Sequence, residues 1–527
     1  MPILATTATA NQRVMDDVRI QLGRDVQVFR GALTRESLHL QNIELAQPSH
    51  RLSWLAATLP NLPGTGIIYT ATTRDAELVA RWLRSTGLDV EAYYGTFPNM
   101  SSDESAARRL MLEEKLMANQ LKALVATSAL GMGYDKPDLA FVIHYQSPGS
   151  VVAYYQQVGR AGRAIPKAHG VLLSGGEDND IQEYFIRQAF PSEALVAQIL
   201  EALESSDEPL KTAEILARVN GATKKTEAAL KFLLAESPAP VVLAQQHPIK
   251  YARTVIDYEL PHDTIQRLSA LKDNEWRDMQ QYVEHNGCLM NFLSRQLDDP
   301  VTEPCGRCAN CAPDQVLPVD YSHETGLKAA AFLENVMIEI EPRAQAGVGK
   351  FPVDQLPYSL KTAGLQHEPG RALCRWGEAG WGAIAMHGKH VGHFDERLVG
   401  ASAKLIQERW QPEPSPTWVA FVPSHKYPEL VADFAYQLAE SLGLPCVDVV
   451  KKIRKNQPQK TMQNSEYQCR NLDGVFQIES GFPEGPVLLV DDAVDSKWTF
   501  TVISALLIRA GSGPVFPFAI MTTSTSS

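Results

Sequence analysis

The feature that most constrains the fold is a series of short apolar segments, separated by helical patterns, between about residues 50 and 190. The segments are Gly66–Tyr69, Val90–Tyr94, Ala123–Ala126, Phe141–His144 and Gly170–Leu173. Short buried strands that alternate with helices are typical of parallel sheets, because parallel strands need crossover connections. The region is therefore predicted to form a parallel α/β sheet, with ligand-binding loops at the strand ends.

Length and charge set broad limits on the function. A chain of 527 residues is expected to form about three to five domains. No run of 18 or more apolar residues is present, and the first residues lack an export signal, so neither a membrane span nor secretion is expected. The net charge of -12 argues against a generally basic nucleic-acid coat, but it leaves room for local basic surfaces.

The block from Gln156 to Arg163 carries two arginines, Arg160 and Arg163, with small residues between them. This spacing suits a helix start that presents guanidinium groups to a phosphate. Together with three other blocks it resembles, in order and spacing, the later motifs of the RecQ family of superfamily 2, 3′→5′ DNA helicases. The other blocks are Leu4–Ala10, Ile67–Glu77 and Val125–Pro137. The resemblance covers about residues 1–190.

The resemblance implies roles for individual residues. Arg160 and Arg163 would reach the γ-phosphate of ATP, with Gln156 in the same motif. Gly131, Gly133 and Asp135 would couple the nucleotide state to the bound DNA strand. Thr70 and Arg74 would lie close to the DNA backbone.

No phosphate-binding loop accompanies the arginine block. A helicase ATP site needs G-x-x-x-x-G-K-[ST] and an acidic D-E-x-H-type block for Mg²⁺, and neither occurs in the 527 residues. The string Gly347–Phe351 lacks the first glycine and has Phe351 where a hydroxyl is required. A truncated gene or misplaced start codon is the simplest expectation, and evolved loss of the ATPase is the alternative. The chain alone is expected to lack ATPase activity.

Four cysteines, Cys288, Cys305, Cys308 and Cys311, lie within 24 positions of one another. Four thiolates with no open position predict a closed, structural Zn²⁺ site, and an iron–sulfur cluster is the rival interpretation. The pattern also resembles the zinc-binding subdomain of RecQ helicases.

Residues 207–256 predict two helices, about 209–219 and 223–236, followed by a β-hairpin, which is the order of a winged helix. Lys224, Lys225 and Lys231 would lie on the second helix, the one that usually meets DNA. A solvated face on a packing module is the alternative. A winged helix placed before the zinc site resembles a bacterial RecQ-like subfamily that carries a phosphoribosyltransferase-like C-terminus.

The C-terminal region fits that subfamily. The apolar run Val487–Val490 leads into Asp491 and Asp492, and then into a loop and a helix. This resembles the phosphoribosyl pyrophosphate (PRPP) motif of type I phosphoribosyltransferases, in the ComF branch, and implies that phosphate and ribose contacts come from Asp491, Asp492, Asp495, Ser496 and Thr499. Relatives have Thr-Gly where this chain has Ser496-Lys497, so a non-catalytic binding module and a working transferase both stay open. The basic stretch Lys451–Lys455 either flanks a phosphate site or is a solvated loop.

The expected architecture is therefore α/β and multidomain. Its parts are a remnant of a first RecA-like domain with a linker (1–45), a second RecA-like parallel α/β domain (46–195), a winged helix (205–258), a helical zinc-binding subdomain (262–315), a linker (316–365) and a type I phosphoribosyltransferase-like α/β domain (366–527). The resemblance implies an ATP-dependent 3′→5′ DNA helicase of DNA repair and recombination, cytoplasmic and nucleoid-associated in a bacterium. Expected ligands are structural Zn²⁺, ATP with Mg²⁺ in the complete enzyme, single-stranded DNA and duplex junctions, and PRPP or another phosphorylated nucleotide. The alternatives are a DNA-binding accessory protein without ATPase and a PRPP-dependent transferase.

Overall fold

The computed structural model describes residues 12–22, 27–29, 31, 33–98, 100–131, 134–299, 303–378, 380–424 and 426–523. Two compact units contain these residues. The first consists of the described parts of 1–190 and 261–335, and the second of 191–260 and 336–523. Leu4–Ala10 and Gly133, which carry predictions made above, lie outside the described residues. No helix in the described ranges is both long enough and apolar enough to cross a membrane.

The regular elements are numbered in chain order. The strands are β1 Leu38–Glu44, β2 Thr65–Tyr69, β3 Val90–Tyr93, β4 Ala123–Ala126, β5 Leu139–His144, β6 Ala168–Ser174, β7 Val241–Gln246, β8 Ile249–Arg253, β9 Ile338–Ile340, β10 Gly370–Arg375, β11 Trp418–Phe421, β12 Val450–Lys452, β13 Phe476–Ile478, β14 Val487–Val494 and β15 Val515–Thr522. The helices are α1 Gln12–Leu22, α2 Pro48–Thr58, α3 Thr73–Ser85, α4 Ser102–Met117, α5 Val151–Val158, α6 Asp178–Arg187, α7 Glu193–Glu204, α8 Thr212–Leu216, α9 Thr223–Ala235, α10 His262–Val283, α11 Leu289–Gln296, α12 His323–Glu334, α13 Trp381–Val391, α14 Glu396–Lys404, α15 Pro428–Leu442, α16 Ser465–Arg470 and α17 Trp498–Arg509.

The first unit is built on a six-stranded sheet in the order β1-β6-β5-β2-β4-β3. Every neighbouring pair is parallel, which confirms the predicted parallel α/β sheet. Residues of β2, β4 and β5 are buried along their whole length, as expected for strands covered on both faces. The sheet also contains β1, which pairs with β6. The predicted start of this domain at residue 46 is therefore too late.

The cysteine-containing region packs on the same sheet through its first strand. The Asn42 Nδ2 group donates a hydrogen bond to the Tyr282 carbonyl at 2.8 Å. The Ala309 amide donates to the Leu40 carbonyl at 2.8 Å. The Tyr282 ring also lies 5.0 Å from that of Tyr154 on α5. Residues 262–315 therefore share one hydrophobic core with the parallel sheet.

The predicted linker at 316–365 is wrong, because both halves of it are folded. In the first unit α12 packs on α2 and α3: Trp54 Nε1 donates to the Pro318 carbonyl at 2.9 Å, and the Phe332 ring lies 5.1 Å from that of Trp82. In the second unit β9 joins the C-terminal sheet. Phe351 is 2% exposed and its ring lies 5.7 Å from that of Trp498, so Phe351 is a core residue of the second unit.

Residues 191–260 form a small body within the second unit. The elements α7, α8 and α9 are followed by the antiparallel hairpin β7–β8, in the predicted order of helices and hairpin. Leu210 forms a β-bridge with Tyr251, which explains why α8 begins at Thr212 rather than at 209. The buried side chains of α7 share a core with α8 and α9. This body therefore begins before residue 205.

The remainder of the second unit contains a five-stranded sheet in the order β11-β14-β15-β10-β9. The first four strands are parallel, and β9 runs antiparallel to β10. The predicted strands at 418–422 and 487–490 are present as β11 and β14. Because β9 belongs to this sheet, the predicted domain start at residue 366 is too late.

Candidate functional site

The arginine loop, residues 159–163, follows α5 and lies at the amino ends of three strands. The Gly162 amide donates to the Leu139 carbonyl at 3.0 Å, and the Ser37 hydroxyl donates to the Gly162 carbonyl at 2.6 Å. Gly162 has φ of +72°, and a Cβ there would lie 2.5 Å from Ser37 Oγ and 3.0 Å from Ala168 Cβ. Glycine is thus required by both backbone conformation and space.

Both arginines of this loop contact the segment between β4 and β5. Arg160 Nη1 donates to the Tyr134 carbonyl at 3.0 Å. Arg163 Nη1 lies 2.7 Å from Asp135 Oδ1, and its side chain is 38% exposed. The structure therefore brings together three of the predicted site residues, Arg160, Arg163 and Asp135.

A cavity of about 430 Å³ opens beside Arg163. Burial lowers the pKa of Arg35 in its wall, and the nearby Arg163 guanidinium adds to the effect. Both groups remain cationic at neutral pH. Two guanidinium groups in one cavity suit an anion such as phosphate. Arg35 was not predicted from the sequence. The lining residues are Arg35, Glu36, Ser37, Gly162, Arg163, Ala164 and Ile165.

The two glutamines before the arginines point in different directions. Gln156, the predicted one, is exposed on α5. Gln157 Oε1 lies 2.6 Å from Nε2 of the buried His144. Burial lowers the pKa of His144 to about 4, so the imidazole is neutral and donates to the glutamine. Gln157 thereby attaches α5 to the sheet, a role that its place beside Gln156 in the sequence does not reveal.

Residues 127–138 cross the sheet from one edge to the other. Of these, residues 127–131 follow the carboxyl end of β4 and residues 134–138 precede the amino end of β5. The Tyr69 hydroxyl donates to the Leu130 carbonyl at 3.0 Å. Gly131 and Asp135 lie in this segment, whereas Gly133 is outside the described residues. The segment is therefore a physical connection between the carboxyl edge and the arginine loop.

Thr70 and Arg74 lie at the carboxyl edge, after β2. Thr70 is 6% exposed, and its hydroxyl donates to the Thr72 carbonyl at 3.1 Å. Thr72 in turn caps α3 by accepting the Asp75 amide at 3.1 Å. The Arg74 side chain is 42% exposed, with Nη2 3.5 Å from Asp75 Oδ1. Thr70 thus shapes the loop, while Arg74 is accessible to a phosphate.

The four cysteines converge as predicted. Their sulfur atoms all lie within 4.8 Å of one another. The Cys305 amide donates to Cys288 Sγ and the Cys308 amide to Cys305 Sγ, both at 3.3 Å. A hydrogen bond between the Cys305 and Cys308 thiols lowers the pKa of Cys308 and raises that of Cys305. Four converging sulfurs with amide donors match the requirements of a tetrahedral thiolate metal centre.

The predicted lysines of the small helical body lie on α9. Lys224, Lys225 and Lys231 are all exposed. None of them pairs with a carboxylate within the described part of the chain. Because Ala229, Leu230 and Leu233 are buried on the opposite side of α9, the lysines define its solvent-facing side.

The predicted ribose and phosphate residues meet at the end of β14 and the start of α17. Asp492 Oδ2 lies 2.8 Å from Lys389 Nζ on α13. Burial, followed by the neighbouring Asp492, raises the pKa of Asp491. Asp495, Ser496 and Thr499 follow along the same loop and first turn. Lys389 was not predicted, because it is about a hundred positions away along the chain.

The loop before α17 also differs from a glycine-containing phosphate loop. Lys497 has φ of +67°, the left-handed conformation that glycine adopts most easily. Arg343 donates from Nε and Nη2 to the Ser496 carbonyl, at 3.1 and 2.8 Å. Its guanidinium stacks 4.2 Å from the centre of the Trp498 ring. An arginine and a buried tryptophan therefore support this loop, and neither was predicted to do so.

Comparison with known proteins agrees with the geometry of the first unit. Residues 51–165 match the family model for the helicase conserved C-terminal domain. ATP-dependent DNA helicase RecQ of Synechocystis is 29% identical over 325 residues, which cover 59% of this chain and 63% of that protein. ATP-dependent DNA helicase RecQ of Bacillus subtilis is 31% identical over 189 residues, covering 36% and 30% respectively. Dbp5 of S. cerevisiae, bound to RNA and ADP BeF3, aligns with a TM-score of 0.28, 20% identity and coverage of 34% of this chain and 48% of that one.

The parallel sheet, the arginine loop and the family match define a helicase C-terminal, RecA-like domain in the first unit. Within that class, the chain is similar to the RecQ helicases of Synechocystis and Bacillus subtilis. The chain spans less than two thirds of the length of the Synechocystis relative.

Proposed function

We propose that this chain forms the second RecA-like domain and the accessory domains of an ATP-dependent 3′→5′ DNA helicase that acts in DNA repair and recombination. The observation that carries the proposal is the arginine loop, in which Arg160 and Arg163 are held against residues 134–135 beside a cavity of about 430 Å³. Guanidinium groups in such a position stabilise negative charge on a transferring phosphoryl group.

ATP with Mg²⁺ would be bound between this domain and one that carries a phosphate-binding loop, a motif absent from these 527 residues. Arg163 would exchange its Asp135 partner for the γ-phosphate. Arg160 keeps the loop in place through the Tyr134 carbonyl. Release of Asp135 frees the segment 127–138, which reaches the carboxyl edge of the sheet where Arg74 lies. Nucleotide state would thereby alter the strand-binding edge.

Two other parts would bind DNA or stabilise the DNA-binding region. Cys288, Cys305, Cys308 and Cys311 would hold a structural Zn²⁺, which fixes the turns that connect α10 and α11 to the sheet. The body at 191–260 would act as a winged helix. Its α9 would present Lys224, Lys225 and Lys231 to DNA phosphates, at single strands and duplex junctions.

The test begins with the codons upstream of Met1. In-frame G-x-x-x-x-G-K-[ST] and D-E-x-H motifs support the proposal, and the protein that includes them is then assayed for DNA-stimulated ATPase. Arg163→Ala should lower the rate by about 10³–10⁵-fold. The matched control is Arg187→Ala, because Arg187 is exposed and, among the described residues, pairs with Glu183 alone, on its own helix.

Turnover that survives Arg163→Ala would contradict the assignment of the arginine loop. A ribosome-binding site and promoter directly before Met1, with DNA binding but no ATPase, would instead support an accessory protein. That outcome would retain the DNA-binding part of the proposal and remove the catalytic part.

A second candidate function concerns the C-terminal sheet. Asp491 and Asp492 lie in the carboxyl-terminal half of the parallel strand β14, and the loop after Val494 enters α17. This arrangement suits the two hydroxyls of a ribose and a phosphate at the helix start. Because Asp492 already pairs with Lys389, we infer binding of PRPP or a phosphorylated nucleotide without transfer.

Calorimetry with PRPP tests this second candidate. Binding that is lost in Asp492→Ala but kept in the exposed control Asp433→Ala supports it. The absence of heat at millimolar PRPP contradicts it, and release of pyrophosphate would instead show a working transferase.

A further inference from the structure

The loop between β12 and β13, residues 453–475, carries an excess of exposed positive charge. Arg454, Lys455, Lys460 and Arg470 are exposed, and none of them has a carboxylate partner among the residues that the structure describes. The loop is thus locally basic although the chain has a net charge of -12.

Both acidic residues of this loop are bound by other groups of the protein. Glu466 Oε1 pairs with Lys350 Nζ at 2.8 Å. The Asp473 carboxylate accepts the amides of Val353 and Asp354, at 3.0 and 2.9 Å. The outward charge of the loop is therefore wholly basic, and it would attract an anionic partner.

Asn464 fixes this loop to the turn that leads into α9. Its Nδ2 group donates to the carbonyls of Leu216, Val219 and Gly221, at 3.1, 2.7 and 3.1 Å. Its Oδ1 accepts the Tyr467 amide at 3.1 Å. Asn464 is 6% exposed, and both ends of its amide are satisfied, so the contact is a specific, buried one.

Reciprocal bonds surround this contact. Asn220 Nδ2 donates to the Thr461 carbonyl at 2.9 Å, and Asn220 Oδ1 accepts the Gln463 amide at 2.8 Å. The Tyr467 hydroxyl donates to the Arg218 carbonyl at 2.7 Å. Thr461, the residue after Lys460, is therefore hydrogen-bonded to Asn220. Asn220 lies four positions before Lys224. Arg470 lies on α16, with its guanidinium 5.7 Å from the centre of the Tyr467 ring.

We propose that the β12–β13 loop extends the DNA-binding surface of α9, so that Lys460 and Arg470 contact DNA phosphates alongside Lys224 and Lys225. The inference rests on the proposed DNA binding by residues 191–260. DNA that approaches the start of α9 would come close to the loop that is hydrogen-bonded to the preceding turn. Since the loop exposes cations and no free carboxylate, it would attract the phosphate backbone rather than repel it.

The test measures DNA binding by the full chain as a function of salt, with a labelled duplex that carries a single-stranded tail. The slope of log K against log salt is negative, and each lost phosphate contact reduces its magnitude by about 0.9. Lys460→Ala with Arg470→Ala should therefore lower it by about 1.8. Lys404→Ala is the matched control, since Lys404 is exposed on α14 and makes no ion pair with any described residue.

Asn220→Ala is the companion variant, because it removes two bonds between the loop and the turn while leaving every cation in place. We expect weaker binding with an unchanged melting temperature for the zinc-containing unit. An unchanged slope in the Lys460/Arg470 double variant overturns the inference. So does equal or tighter binding by Asn220→Ala, which would show that the loop shields α9.

These outcomes are separable from failure of the proposed function. If the wild-type chain shows no salt-dependent DNA binding, the proposed DNA-binding role of residues 191–260 fails. If Lys224→Ala with Lys225→Ala lowers the slope and Lys460→Ala with Arg470→Ala does not, only the extension of the surface is wrong.

Discussion

Arg163 Nη1 lies 2.7 Å from Asp135 Oδ1, and this ion pair joins the arginine loop to the segment that crosses from β4 to β5. The pair is largely exposed, so its own contribution to stability is about 0–1 kcal/mol. The pair therefore contributes little to folding, and its proposed role is to couple the two ends of the strands. An arginine that pairs with Asp135 in one state and with a phosphate in another would connect the two edges of the sheet.

Asp135→Ala tests this coupling. In the protein that includes an ATP-binding domain, we expect a smaller stimulation of ATPase by DNA, because the crossing segment no longer responds to Arg163. The free energy of unfolding should change by less than about 1 kcal/mol. Glu183→Ala, which removes the partner of Arg187, is the control. Full DNA stimulation in Asp135→Ala would show that the pair is only structural.

Gly162→Ala should destabilise the first unit by about 1–3 kcal/mol, because the added Cβ meets Ser37 Oγ and Ala168 Cβ and the residue has positive φ. Gly87→Ala is a matched control, since Gly87 also has positive φ but has open space around the position of a Cβ. Urea denaturation followed by tryptophan fluorescence measures both. Equal losses in the two variants would contradict the role of close packing at Gly162.

Cys308→Ser should abolish stoichiometric zinc binding. A structural Zn²⁺ contributes about 10–16 kcal/mol of coupled folding energy, so α10 and α11 should also become sensitive to proteolysis. Metal analysis of purified protein is the measurement, with Cys446→Ser, outside the cluster, as the control. Iron with visible absorption in the wild type would identify an iron–sulfur cluster instead.

His144 predicts a pH dependence of stability. Burial lowers its pKa to about 4 in the folded protein, against about 6.5 when unfolded. The unfolded state therefore binds the proton more readily below pH 6.5. The contribution of the neutral histidine is complete above that pH and is lost as the pH falls towards 4, by about 3 kcal/mol.

The variant His144→Gln should show a flatter loss of stability between pH 6.5 and pH 4 than the wild type. His169 and His367, whose pKa values are also lowered to about 4, retain their own contributions in both proteins. The difference between the two curves therefore isolates His144. Parallel curves would show that the imidazole is not buried as a neutral group.

Local patterns were sufficient for much of the fold. The apolar runs predicted five strands of the first sheet, and their spacing by helices predicted parallel pairing. Cysteine spacing predicted the convergence of four sulfurs, because short turns between Cys305, Cys308 and Cys311 leave few other arrangements. The arginine block was predicted to begin a helix, whereas Arg160 and Arg163 lie on the loop that follows the end of α5.

Domain boundaries were predicted less well. Residues 316–365 contain scattered Pro and Gly and have no clear periodicity, so they resemble a linker. Yet α12 packs on α2, and β9 completes the C-terminal sheet. The residues of β1 were likewise predicted to belong to a linker. A single short segment does not indicate its partner, and β1 is a strand because it pairs with the distant β6.

The sequence by itself indicated the parallel sheet, the cysteine cluster and a resemblance to RecQ helicases. These depend on local spacing and on side-chain chemistry, which can be read directly from the sequence. Only the tertiary structure decided which partners those residues have: Asp135 for Arg163, Lys389 for Asp492, Asn464 for the turn before α9. Such partners are separated by tens to hundreds of positions, and no periodicity connects them. Long-range contacts form only when packing brings distant segments together.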